Sequence, residues 1–252
     1  MSSAYDRLAG LIRSAGSVVA LTGAGVSVPS GIPDFRSPGT GLWANVDPME
    51  VAHISVWRRE PERFWGFYGQ RFAMLEGKQP NGAHLALAEL GIPVITQNID
   101  GLHAAAGSRD VIEIHGSVAS ASCLLDGRRY PLAETRARLE EADDGVPRCD
   151  CGAPLKPDVT LFGEMLDEAA MTRASALAAG AALMLCVGSS LEVYPAAGLP
   201  ELTLQAGGRI AVITKSSTPF DGVAVARLDG DVEEEMRAVL AALANFGIGG
   251  GG

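Results

Sequence analysis

A strand that runs directly into glycines leaves few folds open, and this chain has one near its start. Val18-Val19-Ala20-Leu21 is a short apolar run, half of it β-branched, and reads as a buried strand. It empties into Gly23-Ala24-Gly25, with Ser27 two residues on. Glycines at a strand end expose backbone N–H groups with no side chain in the way, which makes a seat for phosphate. Pro29, Gly31 and Pro33 follow, so a loop is expected rather than a helix, and it ends in Asp34-Phe35-Arg36. The usual dinucleotide fingerprint needs a third glycine or alanine at position 28 and an acidic residue about 20 residues further on. Position 28 is Val28, and the later stretch is Leu42-Trp43-Ala44. The turn is therefore not that of the ordinary dehydrogenases.

Around this turn the chain alternates helix and strand. Tyr5, Leu8, Leu11 and Ile12 mark one face of an opening helix that Gly16 is expected to end. Asp47 caps and Pro48 opens a helical region that continues through Phe64 to Leu75. A helix is expected over 84–90, strands over 93–97, 111–114, 181–187 and 209–214, and a helix over 195–206. Asp231 caps the last helix, Glu234 completes a capping box, and Val232, Met236, Val239, Leu240 and Leu243 share its buried face. This alternation predicts an α/β fold, a Rossmann-like parallel sheet with helices on both faces. The sheet domain takes residues 1–37, 76–117 and 157–246. Two insertions, 38–75 (helical) and 118–156 (carrying three of the four cysteines), are expected to form a small lobe, and 247–252 a disordered tail.

Composition removes several classes of function. The 252 residues are 47% apolar, enough for a full core, yet no run of 18 apolar residues exists to span a membrane. The start of the chain lacks the basic and apolar regions of a signal peptide, so a cytoplasmic protein is expected. Four cysteines in a chain this long do not suggest a disulfide scaffold. A net charge of −10 argues against nucleic acid as the main ligand. It suits plain solubility first, and after that a basic substrate such as a lysine-bearing tail.

Several polar residues fall at strand ends, where open parallel sheets bind ligands. His115 follows the strand at 111–114 and precedes Gly116. Gln97, Asn98 and Asp100 follow another strand, and read either as a capped turn or as a pocket with donors and acceptors. Gly188-Ser189-Ser190 follows the apolar run 183–187 and suits phosphate or ribose. Tyr68 and Arg71, three apart, share a helical face. They read either as a core aromatic with a solvated arginine or as a carboxylate site, since arginine grips a carboxylate through two parallel N–H groups.

The whole stretch Gly23–Ser37 resembles the signature loop of the sirtuins, the NAD-dependent protein deacylases. The resemblance recurs, in the family's order, at Thr96-Gln97-Asn98-Ile99-Asp100-Gly101-Leu102-His103, Glu113-Ile114-His115-Gly116-Ser117, Lys156-Pro157-Asp158, Phe162-Gly163-Glu164 and Gly188-Ser189-Ser190-Leu191. It covers nearly the whole chain. It implies that Gly23, Ala24, Gly25, Ser27, Asp34, Phe35 and Arg36 bind NAD. Gln97 would contact the ribose, and Asn98 and Asp100 would form the nicotinamide pocket. His115 would be the general base, a role suited to a group with an unperturbed pKa near 6.5. Gly188, Ser189, Ser190, Thr214 and Val232 would hold the rest of the dinucleotide. Thr214 stands where sirtuins commonly carry asparagine against the adenosine ribose, so the amide contact is lost. His103 reads as structural.

The cysteines depart most from the family, which usually binds a structural zinc with two Cys-x-x-Cys pairs in a zinc-ribbon-like insertion. Here the pairs read Cys123-Leu124-Leu125-Asp126 and Cys149-Asp150-Cys151. Zinc accepts carboxylate as well as thiolate, so Cys123, Asp126, Cys149 and Cys151 are the candidate ligands. The alternative is a lobe held by packing without metal. Cys186 lies in a buried strand and reads as a small apolar residue. In the sirtuin subclass that removes acidic acyl groups, a Tyr-x-x-Arg pair binds the acyl carboxylate, which assigns that role to Tyr68 and Arg71. The implied function is NAD-dependent removal of acyl groups, acetyl and with this pair succinyl or malonyl, from lysine side chains of proteins. In the family's mechanism the acyl oxygen attacks the ribose carbon that bears nicotinamide, and the acyl group ends on ADP-ribose. Two alternatives are mono-ADP-ribosylation of protein and a non-catalytic module that binds NAD or acyl-lysine.

Overall fold

The computed structural model describes residues 3–35, 39, 41–42 and 46–248, with side chains to residue 245. Among the described residues the strands are β1 (Val18–Thr22), β2 (Val94–Thr96), β3 (Val111–Glu113), β4 (Gly116–Cys123), β5 (Arg129–Pro131), β6 (Leu155–Val159), β7 (Leu183–Val187), β8 (Arg209–Ile213) and β9 (Ala226–Leu228). Six of them form one sheet in the order β3-β2-β1-β7-β8-β9, every pair parallel. All five residues of β7 are buried, as a parallel strand covered on both faces requires. From β1 the chain builds outward to β2 and β3, then returns to lay β7 on the other side of β1. The strand order reverses there, and the crevice at the carboxyl ends of β1 and β7 is where such sheets bind ligands.

Helices cover both faces. Ala4–Ser14, Gly82–Leu90 and Val232–Ile248 pack Leu8, Ala83, Leu87, Met236 and Val239 on one. Glu168–Gly180 and Leu199–Gln205 pack Ala174, Ala178 and Leu199 on the other. A separate core unites the two insertions. Ile54, Trp57, Phe64, Trp65, Tyr68 and Phe72 from the first meet Val118, Ala121, Tyr130, Val146 and Leu155 from the second. The indoles of Trp57 and Trp65 both donate to the Leu155 carbonyl, at 2.9 and 3.0 Å, tying the helical insertion to the antiparallel sheet β5-β4-β6. Among the described residues no helix is long and apolar enough to cross a membrane.

Several local expectations need correction. The glycine turn does not lead straight into a loop. A 3₁₀ helix spans Ala24–Ser30 with Pro29 inside it, and Gly31 ends it at φ 77°. In an i→i+3 ladder residue 29 would bond the Val26 carbonyl, which proline cannot do. The Asn81 side chain does it instead, its Nδ2 donating to Val26 O at 2.8 Å. The opening helix stops at Ser14 on an extended Ala15, before Gly16 and without a left-handed glycine. Residues 195–206 divide into a 3₁₀ turn, Ala196–Gly198, and a helix, Leu199–Gln205. Asp231 caps the last helix through Glu233 N, but the acid that reaches back is Glu235, onto Gly230 N, rather than Glu234. That helix runs to Ile248 and so takes in Gly247, which the sequence reading gave to the tail. The rest of the tail, 249–252, and Arg36 lie outside the described residues.

Candidate active site

At the crevice, the exits of β1 and β7 touch. Gly23 N donates to Val187 O at 3.2 Å, and Gly25 N donates to Gly188 O at 2.8 Å. A Cβ on Gly25 would lie 2.7 Å from Gly188 O, and one on Gly188, itself at φ 62°, would strike Val26 N. The glycines thus serve close approach of two backbones, and these two amides are spent on that contact rather than offered to phosphate. The surrounding cleft is lined by Gly23, Ala24, Gly25, Asp34, Phe35, Gly188, Ser189, Ser190, Thr214 and Val232, together with Gln97, Asn98 and His115. This one cleft gathers every described residue assigned to NAD from the sequence, apart from Ser27 and Asp100.

Those two lie in a second, inner cavity that shares a wall with the first. Ala24, Phe35, Gln97, Asn98, His115 and Val193 face both. Ser27, Asp100, Tyr68, Arg71, Ile32 and Phe162 line only the inner one. The side chains on the shared wall are held by hydrogen bonds. Gln97 Nε2 donates to Ser189 Oγ at 2.9 Å. Asn98 Nδ2 donates to Ser27 Oγ at 3.0 Å, and Ser27 Oγ donates to Asp100 Oδ2 at 2.7 Å. Asp100 Oδ1 accepts from Leu102 N at 3.0 Å, so both carboxylate oxygens are fixed.

His115 sits between β3 and β4, 2.8 Å through Nδ1 from the Gln97 carbonyl. A carbonyl only accepts, so the ring proton is on Nδ1 and the lone pair on Nε2. Burial lowers the ring's pKa, with the Gln97 carbonyl partly offsetting it. The neutral imidazole is therefore the form present near pH 7. In the inner cavity, burial pushes the Tyr68 hydroxyl up to about 12, so it remains a neutral donor. Burial lowers the Arg71 pKa, against Tyr68 and Asp100, and the guanidinium stays charged. Arg71 is 8% exposed and lies 5.1 Å over the Phe35 ring. Among the described residues nothing partners its Nη1.

Sequence reading missed Asn81 and His84. Both are buried at the start of the helix Gly82–Leu90, directly behind this site. The legible signal was Asn-x-x-His at a helix start, a capping pattern that here carries a histidine. His103 is buried, its Nε2 2.9 Å from Thr22 Oγ1.

Far from the crevice, the ligand atoms of Cys123, Asp126, Cys149 and Cys151 all lie within 4.8 Å of one another. Sγ of Cys123 and Cys151 are 3.6 Å apart, and Cys149 Sγ is 3.2 Å from Asp126 Oδ2. Tetrahedral zinc with Zn–S bonds of about 2.3 Å needs sulfurs about 3.7 Å apart, so the donor set fits zinc. Turns at Gly127 (φ 75°) and Gly152 (φ 88°) fold the two short Cys segments toward each other. The missing residue of Cys149-Asp150-Cys151 is accommodated in the second of these.

The Sir2 family model matches residues 23–195. An NAD-dependent protein deacetylase of Saccharolobus solfataricus is 43% identical over 225 residues, covering 87% of this chain and 89% of that protein. The NAD-dependent protein deacylase Sir2 of Mycolicibacterium smegmatis is 39% identical over 229 residues, covering 88% and 95%. A solved Sir2 structure with a deacetylated p53 peptide and 3′-O-acetyl ADP-ribose is similar at a TM-score of 0.88 and 38% identity, covering 93% of this chain and 96% of that one. On sequence, fold and site together, the chain belongs to the Sir2 family.

Proposed function

We propose that this protein removes acyl groups from lysine side chains of proteins with NAD as co-substrate, releasing nicotinamide and O-acyl-ADP-ribose. The observation that carries the reading is the position of His115, Gln97 and Asn98 on the wall between the nucleotide cleft and the inner cavity. A base placed there reaches a dinucleotide from one side and an acyl group from the other. The deacetylase and deacylase relatives support the same chemistry.

NAD supplies a ribose carbon that becomes electrophilic as nicotinamide leaves. The chain's residues do the rest. The β1 and β7 exits seat the dinucleotide, and Asn98 with Asp100 offers donors and acceptors to a carboxamide. His115 Nε2 accepts a proton from a ribose hydroxyl, a step of about 10²–10⁴-fold for a well-placed base. Holding both reactants in line contributes several further kcal/mol. The acylated lysine enters between the sheet domain and the small lobe of residues 38–75 and 118–156, and Cys123, Asp126, Cys149 and Cys151 would hold a zinc that braces that lobe.

The acyl group reaches Tyr68 and Arg71. A buried guanidinium whose Nη1 has no partner among the described residues is costly unless a ligand satisfies it, so an acidic acyl chain is favoured. We therefore assign succinyl- and malonyl-lysine, beside acetyl-lysine, as substrates. A cytoplasmic setting belongs to the same proposal, since a zinc held by Cys123, Cys149 and Cys151 needs thiolates kept reduced.

Incubation with NAD and acetyl-, succinyl- and malonyl-lysine peptides, with the products weighed, tests the function. Free lysine peptide with nicotinamide and acyl-ADP-ribose is expected. A peptide heavier by one ADP-ribose, with no free lysine, would instead make the protein an ADP-ribosyltransferase.

A further inference from the structure

We propose that His84 is a positioning residue of the nicotinamide pocket, acting through the Ser27 hydroxyl on Asn98 and Asp100. The proposal rests on the reading of that pocket given above. His84 is fully buried, lines neither cavity, and so touches no substrate. A capping role explains only one of its nitrogens. Nδ1 accepts from Asn81 N at 3.3 Å, closing the helix start. Nε2 points away from the cap, 3.4 Å from Ser27 Oγ.

The hydrogen-bond accounting at Ser27 gives that second contact its meaning. A serine hydroxyl has one proton and two lone pairs. Because Nδ1 accepts the Asn81 amide, the ring proton is on Nε2, and the histidine can only donate to Ser27. Asn98 Nδ2 is also a donor to Ser27. Both lone pairs are then taken, and the single proton has one destination, Asp100 Oδ2 at 2.7 Å. With the opposite tautomer, Nδ1–H would face the Asn81 N–H, and Nε2 would compete with Asp100 for the serine proton. The ring thereby fixes the direction of every bond at the junction, and with it the orientation of the Asn98 amide and the Asp100 carboxylate. Ser27 and Asn98 are 1% and 7% exposed, so water does not readily take the histidine's place. The same helix start also holds the nucleotide loop, since Asn81 Nδ2 donates to Val26 O at 2.8 Å and to Ser30 Oγ at 2.9 Å. One buried helix end thus sets the walls of both halves of the NAD site.

The test compares His84→Leu, His84→Gln, Ser27→Ala and the double variant His84→Leu/Ser27→Ala. The readouts are exchange of labelled nicotinamide into NAD at saturating acetylated peptide, KM for the peptide, and melting temperature. His84→Leu is expected to slow exchange about tenfold or more, with peptide KM changed less than about twofold. His84→Gln, whose amide still donates to Ser27, recovers most of the rate. The double variant is no slower than Ser27→Ala alone, because the two act through one bond. Wild-type exchange in a folded His84→Leu, or losses that add in the double variant, overturn the proposal. So does an equal loss in both His84 variants that tracks the melting temperature. Should His84→Leu fail to fold, ¹⁵N NMR of the wild-type ring still decides. The neutral Nε2–H tautomer is expected at pH 7.5, and an Nδ1–H or doubly protonated ring refutes it. Absence of nicotinamide exchange in the wild-type protein would instead overturn the pocket reading itself.

Discussion

His115 and Arg71 are the two side chains whose chemistry the site cannot lend to a neighbour. His115 is anchored through Nδ1 on the Gln97 carbonyl, so only Nε2 is available as a base. His115→Ala is expected to cut deacylation at least about 10²-fold while NAD affinity changes little. Steady-state rates and calorimetric titration check this, and a variant keeping a tenth of the rate would move the base elsewhere. Arg71 is a buried charge whose Nη1 has no partner among the described residues. Charge-assisted bonds to a carboxylate contribute about 1.5–3 kcal/mol, roughly 10–150-fold in selectivity. Arg71→Met is expected to remove desuccinylation by about that factor and leave deacetylation within a few-fold. Equal losses on both peptides would make Arg71 a packing residue only.

The cysteine insertion shows how an element can be set by four side chains. β4 and β5 form a hairpin whose tip carries Cys123 and Asp126, and Cys149 and Cys151 fold onto it. Tyr130 sits below, its hydroxyl donating to Cys149 Sγ at 3.2 Å. One zinc per chain is expected by elemental analysis of protein purified without chelator. Stripping the metal should lower the melting temperature and raise peptide KM, because the lobe proposed to wall the substrate entry loosens. A zinc content near zero in a folded, active protein would mean that the Trp57 and Trp65 bonds to Leu155 suffice to hold it. On the opposite edge of the small sheet, buried Lys156 donates to Pro157 O and Val159 O and pairs with Glu164 at 2.9 Å, fixing the Phe162-Gly163-Glu164 turn beside the inner cavity.

For the molecule as a whole, three histidines are kept neutral by burial. Burial lowers the pKa of His84, of His115, and of His103 to about 3, the last further depressed by the neighbouring His84 ring 4.8 Å away. In the unfolded chain each titrates near 6.5. The folded state therefore binds fewer protons below that pH, and stability present above 6.5 is lost as pH falls toward the depressed values. Denaturant midpoints are expected to decline already between pH 7.5 and 5.5, where ordinary carboxylates scarcely titrate. A flat profile over that range would show that these rings titrate in the folded state as they do in the unfolded chain.

Five of the six strands of the large sheet, all but β9, and the main helix starts were legible in the amino-acid sequence, because their signals are local. The apolar runs that became β1, β7 and β8, the Asp47-Pro48 and Asp231 helix starts, and the polar residues at strand ends all follow from neighbours within a few positions. Motif resemblance added which of those residues belong together. What it left out needed contacts between segments far apart in the chain. Ala226–Leu228 is too short to read as a strand until β8 pairs with it. Pro29 stays in a 3₁₀ turn because Asn81, 52 positions later, supplies the bond it lacks. The shortened Cys149-x-Cys151 pair meets Cys123 and Asp126 only through the turns that bring them close. His84 acquires its second partner only when the helix Gly82–Leu90 packs behind Ser27. A hydrogen bond needs two groups in one place, and only tertiary folding fixes where distant groups meet.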